Sequence, residues 1–308
     1  MSRVAAIDCG TNSIRLLVAE PDGSGGLKDL ERRLEVVRLG QGVDASGEFH
    51  PDALQRTFAA VDQYAELIKK ADVPTEKVHF VATSATRDVK NRETFFAGIQ
   101  ERLGVTPEVI SGGTEARLSF IGALSRVTPE GEPVLVMDIG GGSTELITGS
   151  ATGDMHSAIS IDIGSVRVTE RFLKQNPVPD DDLERATSYV DDLLAGSGVD
   201  FASIGTWIGV AGTVTTLAGV YLELEHYDRE RVHGAVIPIP AVQELLHRLA
   251  AMTVDEIRAL PSMHPGRADV ITGGALVEAR VAARLQVADL IVSESDILDG
   301  IALGILQQ

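Results

Sequence analysis

Residues 8–18 read DCGTNSIRLLV, and residues 138–148 read DIGGGSTELIT. Aligned without gaps, the two share the Asp, the Gly two positions on, the Ser five on and the Leu eight on. Each copy follows an apolar run, at 4–7 in the first case and 134–137 in the second. Each therefore reads as strand, Asp, glycine-rich turn, strand. One device used twice points to duplication into two similar domains, which we divide as 1–125 and 126–308.

The turns carry chemistry as well as topology. Glycines let successive backbone N–H groups converge on an anion, giving positive potential without net charge. Thr11, Ser13 and Ser143 add hydroxyl donors. One such turn alone reads first as an ordinary tight hairpin, whereas two facing copies can hold both ends of a phosphate chain. Asp8 and Asp138 stand at the strand ends beside the turns. A carboxylate there would repel phosphate unless it held a divalent cation, and Mg²⁺ suits one or two carboxylates plus phosphate oxygens. Position eight of each copy differs: Arg15 can clamp a phosphate oxygen, while Glu145 can complete a metal site with Asp138.

Outward from the turns, apolar strands alternate with helical patterns, an α/β reading. Leu54, Phe58, Val61, Ala65 and Ile68 share one helical face, in a helix opened by Pro51. Residues 78–82, 207–210 and 290–292 read as short buried strands. Thr83, Ser84 and Arg87 follow the first of these, and Glu115 opens a helix after a glycine pair. By position alone Arg87 and Glu115 are equally site groups or solvated surface groups. Asp180–Asp182 complement a helix start better than they bind metal. Thr253 and Glu256 have capping-box spacing. Small residues around Gly122 and at Gly273–Gly274 suit close helix crossings at an interdomain hinge.

Composition narrows the partners. With 27 basic and 45 acidic residues the 308-residue chain carries a net charge of −18. It lacks the basic excess that nonspecific binding to nucleic acid or anionic membrane requires. A phosphate site must then be built locally, from backbone N–H groups, a few arginines and a cation. No apolar run approaches the roughly 18 residues of a membrane span, and the N-terminus turns polar too early for a secretory signal. The one cysteine, Cys9, excludes an internal disulfide and fits a cytoplasmic setting. Cys9 reads as a packed small side chain, not a nucleophile, and the histidines show no metal-ligand spacing.

Taken together, AAIDCGTNSIRLLVA, RLGQGV, TSATRDVKN, ISGGTEARL, VMDIGGGSTEL, GSVRVTERF, GVAGTVTTLA, RADVITGGAL and VSESDILDGIALGIL resemble the exopolyphosphatase and guanosine pentaphosphate phosphohydrolase family nearly end to end. The resemblance implies two ribonuclease-H-like domains of the actin-like ATPase type around an interdomain cleft. It makes Glu115 the catalytic base and associates Asp138 and Glu145 with the divalent metal; Asp8, read from its strand end above, is the third candidate ligand. It gives phosphate contacts to Gly10, Thr11, Asn12, Ser13, Gly140, Gly141, Gly142, Ser143 and Arg87, beside the Arg15 read above. Many members carry two consecutive glutamates where this chain has Thr114 and Glu115, and longer members add a C-terminal helical region.

The expected activity is release of terminal orthophosphate from inorganic polyphosphate, with short chains favoured, using Mg²⁺ or Mn²⁺ and with a monovalent cation as a further candidate. Guanosine pentaphosphate is the rival substrate; a guanine pocket should show aromatic or Arg groups in the second domain, and aromatics are 4% of the chain. A kinase of the same architecture would need pockets for base and acceptor. A catalytically idle nucleotide sensor or an actin-like structural subunit is the alternative of another class. The resemblance also implies a homodimer.

Overall fold

The computed structural model describes residues 3–11, 13–23, 26–87 and 89–307. Among the described residues eleven strands form two sheets: β1 Val4–Cys9, β2 Ser13–Pro21, β3 Leu27–Val36, β4 Val78–Ala82, β5 Glu108–Val109, β6 Val134–Ile139, β7 Thr144–Gly149, β8 Met155–Ile161, β9 Thr206–Val210, β10 Val236–Pro238 and β11 Asp289–Val292. The first sheet has the order β3-β2-β1-β4-β5 and the second β8-β7-β6-β9-β11-β10. In both, a three-stranded antiparallel meander is followed by two strands added in parallel. The second sheet closes with β10, antiparallel to β11. The repeat found in the sequence is thus a repeat of sheet topology.

The composition of each strand suits its place. β1, VAAIDC, is buried along its whole length, as a strand covered on both faces must be. β3, LKDLERRLEV, lies at the sheet edge, where charged side chains discourage pairing with another chain. One face of the first sheet packs on the helices Pro51–Lys70 and Arg92–Leu103, through Leu54, Val61, Ile68, Phe95 and Ile99. The other meets the helix Ile297–Leu306 through Ile297, Leu298 and Ile301. In the second unit Trp207, Leu135 and Met137 lie in one core with residues of the helices Ser165–Phe172, Ala211–Tyr221, Ile239–Ala250 and Ile271–Ala282.

The chain falls into two compact units, residues 1–125 with 296–308, and residues 126–295. The second domain does not run to 308, because the apolar face of the last helix is buried against the first sheet. The small-residue crossings also differ from expectation. A Cβ on Gly122 would strike the backbone carbonyl of Asp296, and one on Gly300 that of Leu118, so the crossing joins the helices Gly112–Leu124 and Ile297–Leu306 inside the first unit. Gly273 and Gly274 meet Ser165 and Thr213 inside the second.

Candidate active site

The two turns close in the same way. Gly10 N donates to Ser13 O and Gly140 N to Ser143 O, both at 2.9 Å. Two register steps back from each turn stand the chemically distinctive pairs, Asp8 opposite Arg15 and Asp138 opposite Glu145. Directly opposed residues of an antiparallel pair project from one face of the sheet and sit within side-chain reach. Asn12, expected to contribute to the first turn, lies outside the described residues.

In the first unit Arg15 is engaged by carboxylates. Its Nε and Nη2 donate to Asp8 Oδ2 at 3.1 and 2.6 Å, and its Nη1 donates to Asp296 Oδ2. Asp296 caps the last helix, its Oδ1 accepting from Leu298 N at 3.0 Å. Behind it, Arg32 donates to Asp299 Oδ2 at 2.7 Å and to Asp29 Oδ2 at 3.1 Å. Asp8 is 5% exposed, and its Oδ1 makes no hydrogen bond among the described residues. Burial raises the Asp8 carboxyl above its ordinary range, against the pull of Arg15. Gly40 N donates to Thr11 O and Thr83 N to Cys9 O, which fixes the turn's backbone from two sides. Cys9 is packed in the core, and burial pushes its thiol up, away from the thiolate a nucleophile needs.

In the second unit the turn rests on the start of a helix. Ser165 N donates to Gly140 O, and Val166 N and Arg167 N donate to Gly141 O, at 2.9–3.0 Å. Gly164 lies so close that a Cβ there would sit 2.5 Å from the Gly141 carbonyl. Glu145 Oε1 accepts from Ser143 Oγ at 2.8 Å and from Ser160 Oγ at 2.7 Å. Arg167 Nε donates to Gly142 O at 2.8 Å, placing a half-exposed guanidinium on this turn.

Arg87 and Glu115, which sequence position left undecided, meet. Arg87 Nη2 donates to Glu115 Oε2 at 2.6 Å, and Arg87 Nε to Ile110 O at 2.9 Å. Ser111 caps the helix that carries Glu115, accepting from Thr114 N at 3.1 Å. The guanidinium is thereby tied to the strand end and orients the carboxylate, which stays partly exposed.

The donor set bears on a divalent cation. No group of three or more His, Cys, Asp or Glu suited to a metal occurs among the described residues. The Asp138–Glu145 pair nonetheless fits a Mg²⁺ that keeps its waters and takes substrate oxygens. Two carboxylates directly opposed repel, and the hydroxyls on Glu145 orient it without supplying charge. Asp8 fits less well, since one of its oxygens already takes two bonds from Arg15.

Asp296, Asp299, Arg32 and Arg167 were not singled out by the sequence. For the aspartates the local signal was the Asp-x-x-Asp of a helix cap, and the cap is present. Arg167 lay inside the quoted GSVRVTERF block, whose glycine now proves to abut the second turn.

The profile of the Ppx/GppA phosphatase family matches residues 17–308. Exopolyphosphatase 2 of Mycobacterium tuberculosis is 44% identical, the alignment covering 99% of each chain. A crystal structure of the Ppx/GppA phosphatase of Aquifex aeolicus superposes with a TM-score of 0.90 at 29% identity, covering 99% of this chain and 100% of that one. A nucleoside triphosphate hydrolase of Neospora caninum, 12% identical over 99% of this chain and 92% of its own, reaches 0.54, a likeness of fold alone. The fold is the actin-like one, with two ribonuclease-H-like units.

Proposed function

The chain belongs to the Ppx/GppA phosphatase family, and we propose that it acts there as an exopolyphosphatase, releasing terminal orthophosphate from inorganic polyphosphate, short chains above all. The observation that carries this is the doubled turn, Gly10–Ser13 and Gly140–Ser143, each closed by the same 2.9 Å bond and each two register steps from a charged pair. Backbone N–H groups of the turns, with the hydroxyls of Thr11 and Ser13, bind phosphate oxygens, and the Ser143 hydroxyl donates to Glu145. Glu115, oriented by Arg87, takes the proton of the attacking water. Asp138 and Glu145 are the residues that would hold Mg²⁺ or Mn²⁺. That cation supplies charge neutralisation at the phosphoryl oxygens when bound. The leaving group is a phosphate chain one unit shorter, which needs little acid assistance.

We place the reaction in the cytoplasm, on a chain in which no described helix is long and apolar enough to cross a membrane, and expect it to run as a homodimer. The test is phosphate release from short and long polyphosphate, guanosine pentaphosphate and ATP, with Glu115→Gln alongside. Loss of a general base lowers turnover by about 10²–10⁴-fold. Near-normal release by the variant would sink the assignment of Glu115.

One observation favours guanosine pentaphosphate as a second substrate. The aromatic and arginine groups that a base pocket needs do occur in the second unit despite the low aromatic content. Arg267 Nη1 donates to Gly212 O and Thr216 Oγ1, both at 2.7 Å, at the start of the helix Ala211–Tyr221. Tyr227 is partly exposed, its ring lying near Gly219 of the same helix. The substrate ranking decides between the two.

A further inference from the structure

Arg15 stands on the same face of β2 as Ser13, two residues from the first turn. It is the nearest described cation along the chain to that turn, and its guanidinium edge at Nη1 is taken by Asp296. The two residues are 281 positions apart in the chain, so only the return of the last helix to the first sheet brings them together. Asp296 is itself held from two sides. Leu298 N fixes its Oδ1 at 3.0 Å, and Arg32 Nη1 lies 3.7 Å from that same oxygen. Asp299 Oδ2 accepts from Asp296 N at 3.0 Å. The side chain of Arg15 is 24% exposed and that of Asp296 18%, so the contact is reachable by a small anion yet partly shielded from salt.

We propose that Asp296 is an affinity-setting residue, an intramolecular carboxylate that competes with phosphate for Arg15 and keeps the first turn's hold on orthophosphate weak. A phosphate oxygen and a carboxylate oxygen seek the same N–H groups of a guanidinium. Phosphate reaching Arg15 must displace Asp296 or accept a guanidinium already shared by two carboxylates. The orthophosphate left after cleavage therefore departs readily. This rests on the exopolyphosphatase reading, in which orthophosphate is the product, and it adds a role for a residue that need not touch the reacting atoms.

Geometry supplies a clean variant. Asp296→Asn keeps the size and the oxygen that caps Leu298 N, asparagine being as good a cap as aspartate. Arg32 retains Asp299 and Asp29. What is lost is the carboxylate's negative charge facing Nη1 of Arg15. Orthophosphate binding is measured by calorimetry with Mg²⁺ present, which requires no turnover. Asp296→Asn should bind orthophosphate more tightly, by roughly tenfold or more, as expected on freeing one charge-assisted bond. Arg15→Ala in the same chain should abolish the gain. Asp29→Asn, which removes a partner of Arg32, should leave the affinity where it was. Asp296→Ser, also a good cap, repeats the test should the asparagine variant fold poorly.

Unchanged or weaker orthophosphate binding in a folded variant overturns the proposal, as does a gain that survives Arg15→Ala. If wild-type protein releases no phosphate from polyphosphate, the activity reading fails on its own assay. The calorimetry still decides whether Asp296 and phosphate compete.

Discussion

In the first unit the strands flanking the turn are joined by a relay of ion pairs, Asp8 to Arg15 to Asp296, with Arg32 and Asp299 behind. In the second the turn lies against the backbone of Gly164–Arg167 and takes three N–H bonds from it, while the flanking pair is two carboxylates, of which Glu145 is steadied by hydroxyls. A turn beside ion pairs sits among contacts that an arriving anion can exchange. A turn seated on backbone offers one fixed arrangement. The duplicated device has thus diverged, one copy adjustable in charge and the other fixed in position and suited to a cation.

The contrast extends beneath the turns, and there the largest effect is expected. Both units bury carboxylates. Asp8 and Asp299 in the first have Arg15 and Arg32, whereas Glu278 in the second is fully buried and neither oxygen makes a hydrogen bond among the described residues. Burial lifts the Glu278 carboxyl from 4.5 to about 8. Between those values the folded chain holds a proton that the unfolded chain has released. Stability should therefore fall as pH rises through this window and level off above it, by an amount on the order of several kcal/mol. Glu278→Gln removes the slope. Melting temperatures of both proteins from pH 5 to 9 check it, and parallel profiles would refute it.

Next in size is the rigidity of the second turn. In Gly164→Ala the new methyl would lie 2.5 Å from the Gly141 carbonyl and 2.7 Å from that of Gly140, with backbone on both sides. Overpacking of this kind costs about 1–3 kcal/mol, and displacing a substrate-holding group by an ångström costs about 10²-fold in rate. Gly40→Ala in the first unit strikes a methyl of Thr11, which can rotate, so its effect should be smaller on both counts. Urea unfolding and steady-state kinetics on the pair test the order. A larger loss in Gly40→Ala would reverse the comparison.

The smallest effect concerns the hydroxyls on Glu145. Ser160→Ala removes a 2.7 Å bond to Oε1 and leaves Ser143. Partners that orient a metal-binding carboxylate are worth about tenfold in metal affinity at the low end. The Mg²⁺ concentration for half-maximal activity should rise by about that factor. No change would remove Glu145 from the metal site.

Much of this arrangement was legible because it is local. β1, β2, β6 and β7 announce themselves by apolar runs around Gly and Asp, and the helix Pro51–Lys70 by its stripe and its proline. The capping box at Thr253–Glu256 forms as its spacing says. β3 and β8 were not read as strands, because as edge strands they are half solvated and carry Lys, Arg and Glu or Ser and His in place of a buried run. The turns and the pairs at their strand ends were visible for the same local reason. The occupation of Arg15 was not, since its second partner lies 281 residues away and a charge in sequence does not show what neutralises it. Arg87 and Glu115 were visible as candidates, but not as partners.

The return of residues 296–308 to the first unit also bears on the order of events during synthesis. Domains commonly fold as units from the N-terminus as the chain emerges. Here the first unit to begin is the last to be finished, because Ile297, Leu298, Ile301 and Ile305 complete a core begun by Val4, Ala6 and Leu17. Residues 126–295 are contiguous and hold their own core. The later-made unit can therefore fold on the ribosome while the earlier one waits with an apolar sheet face uncovered. Until residues 297–306 arrive, that face offers a chaperone exposed apolar surface.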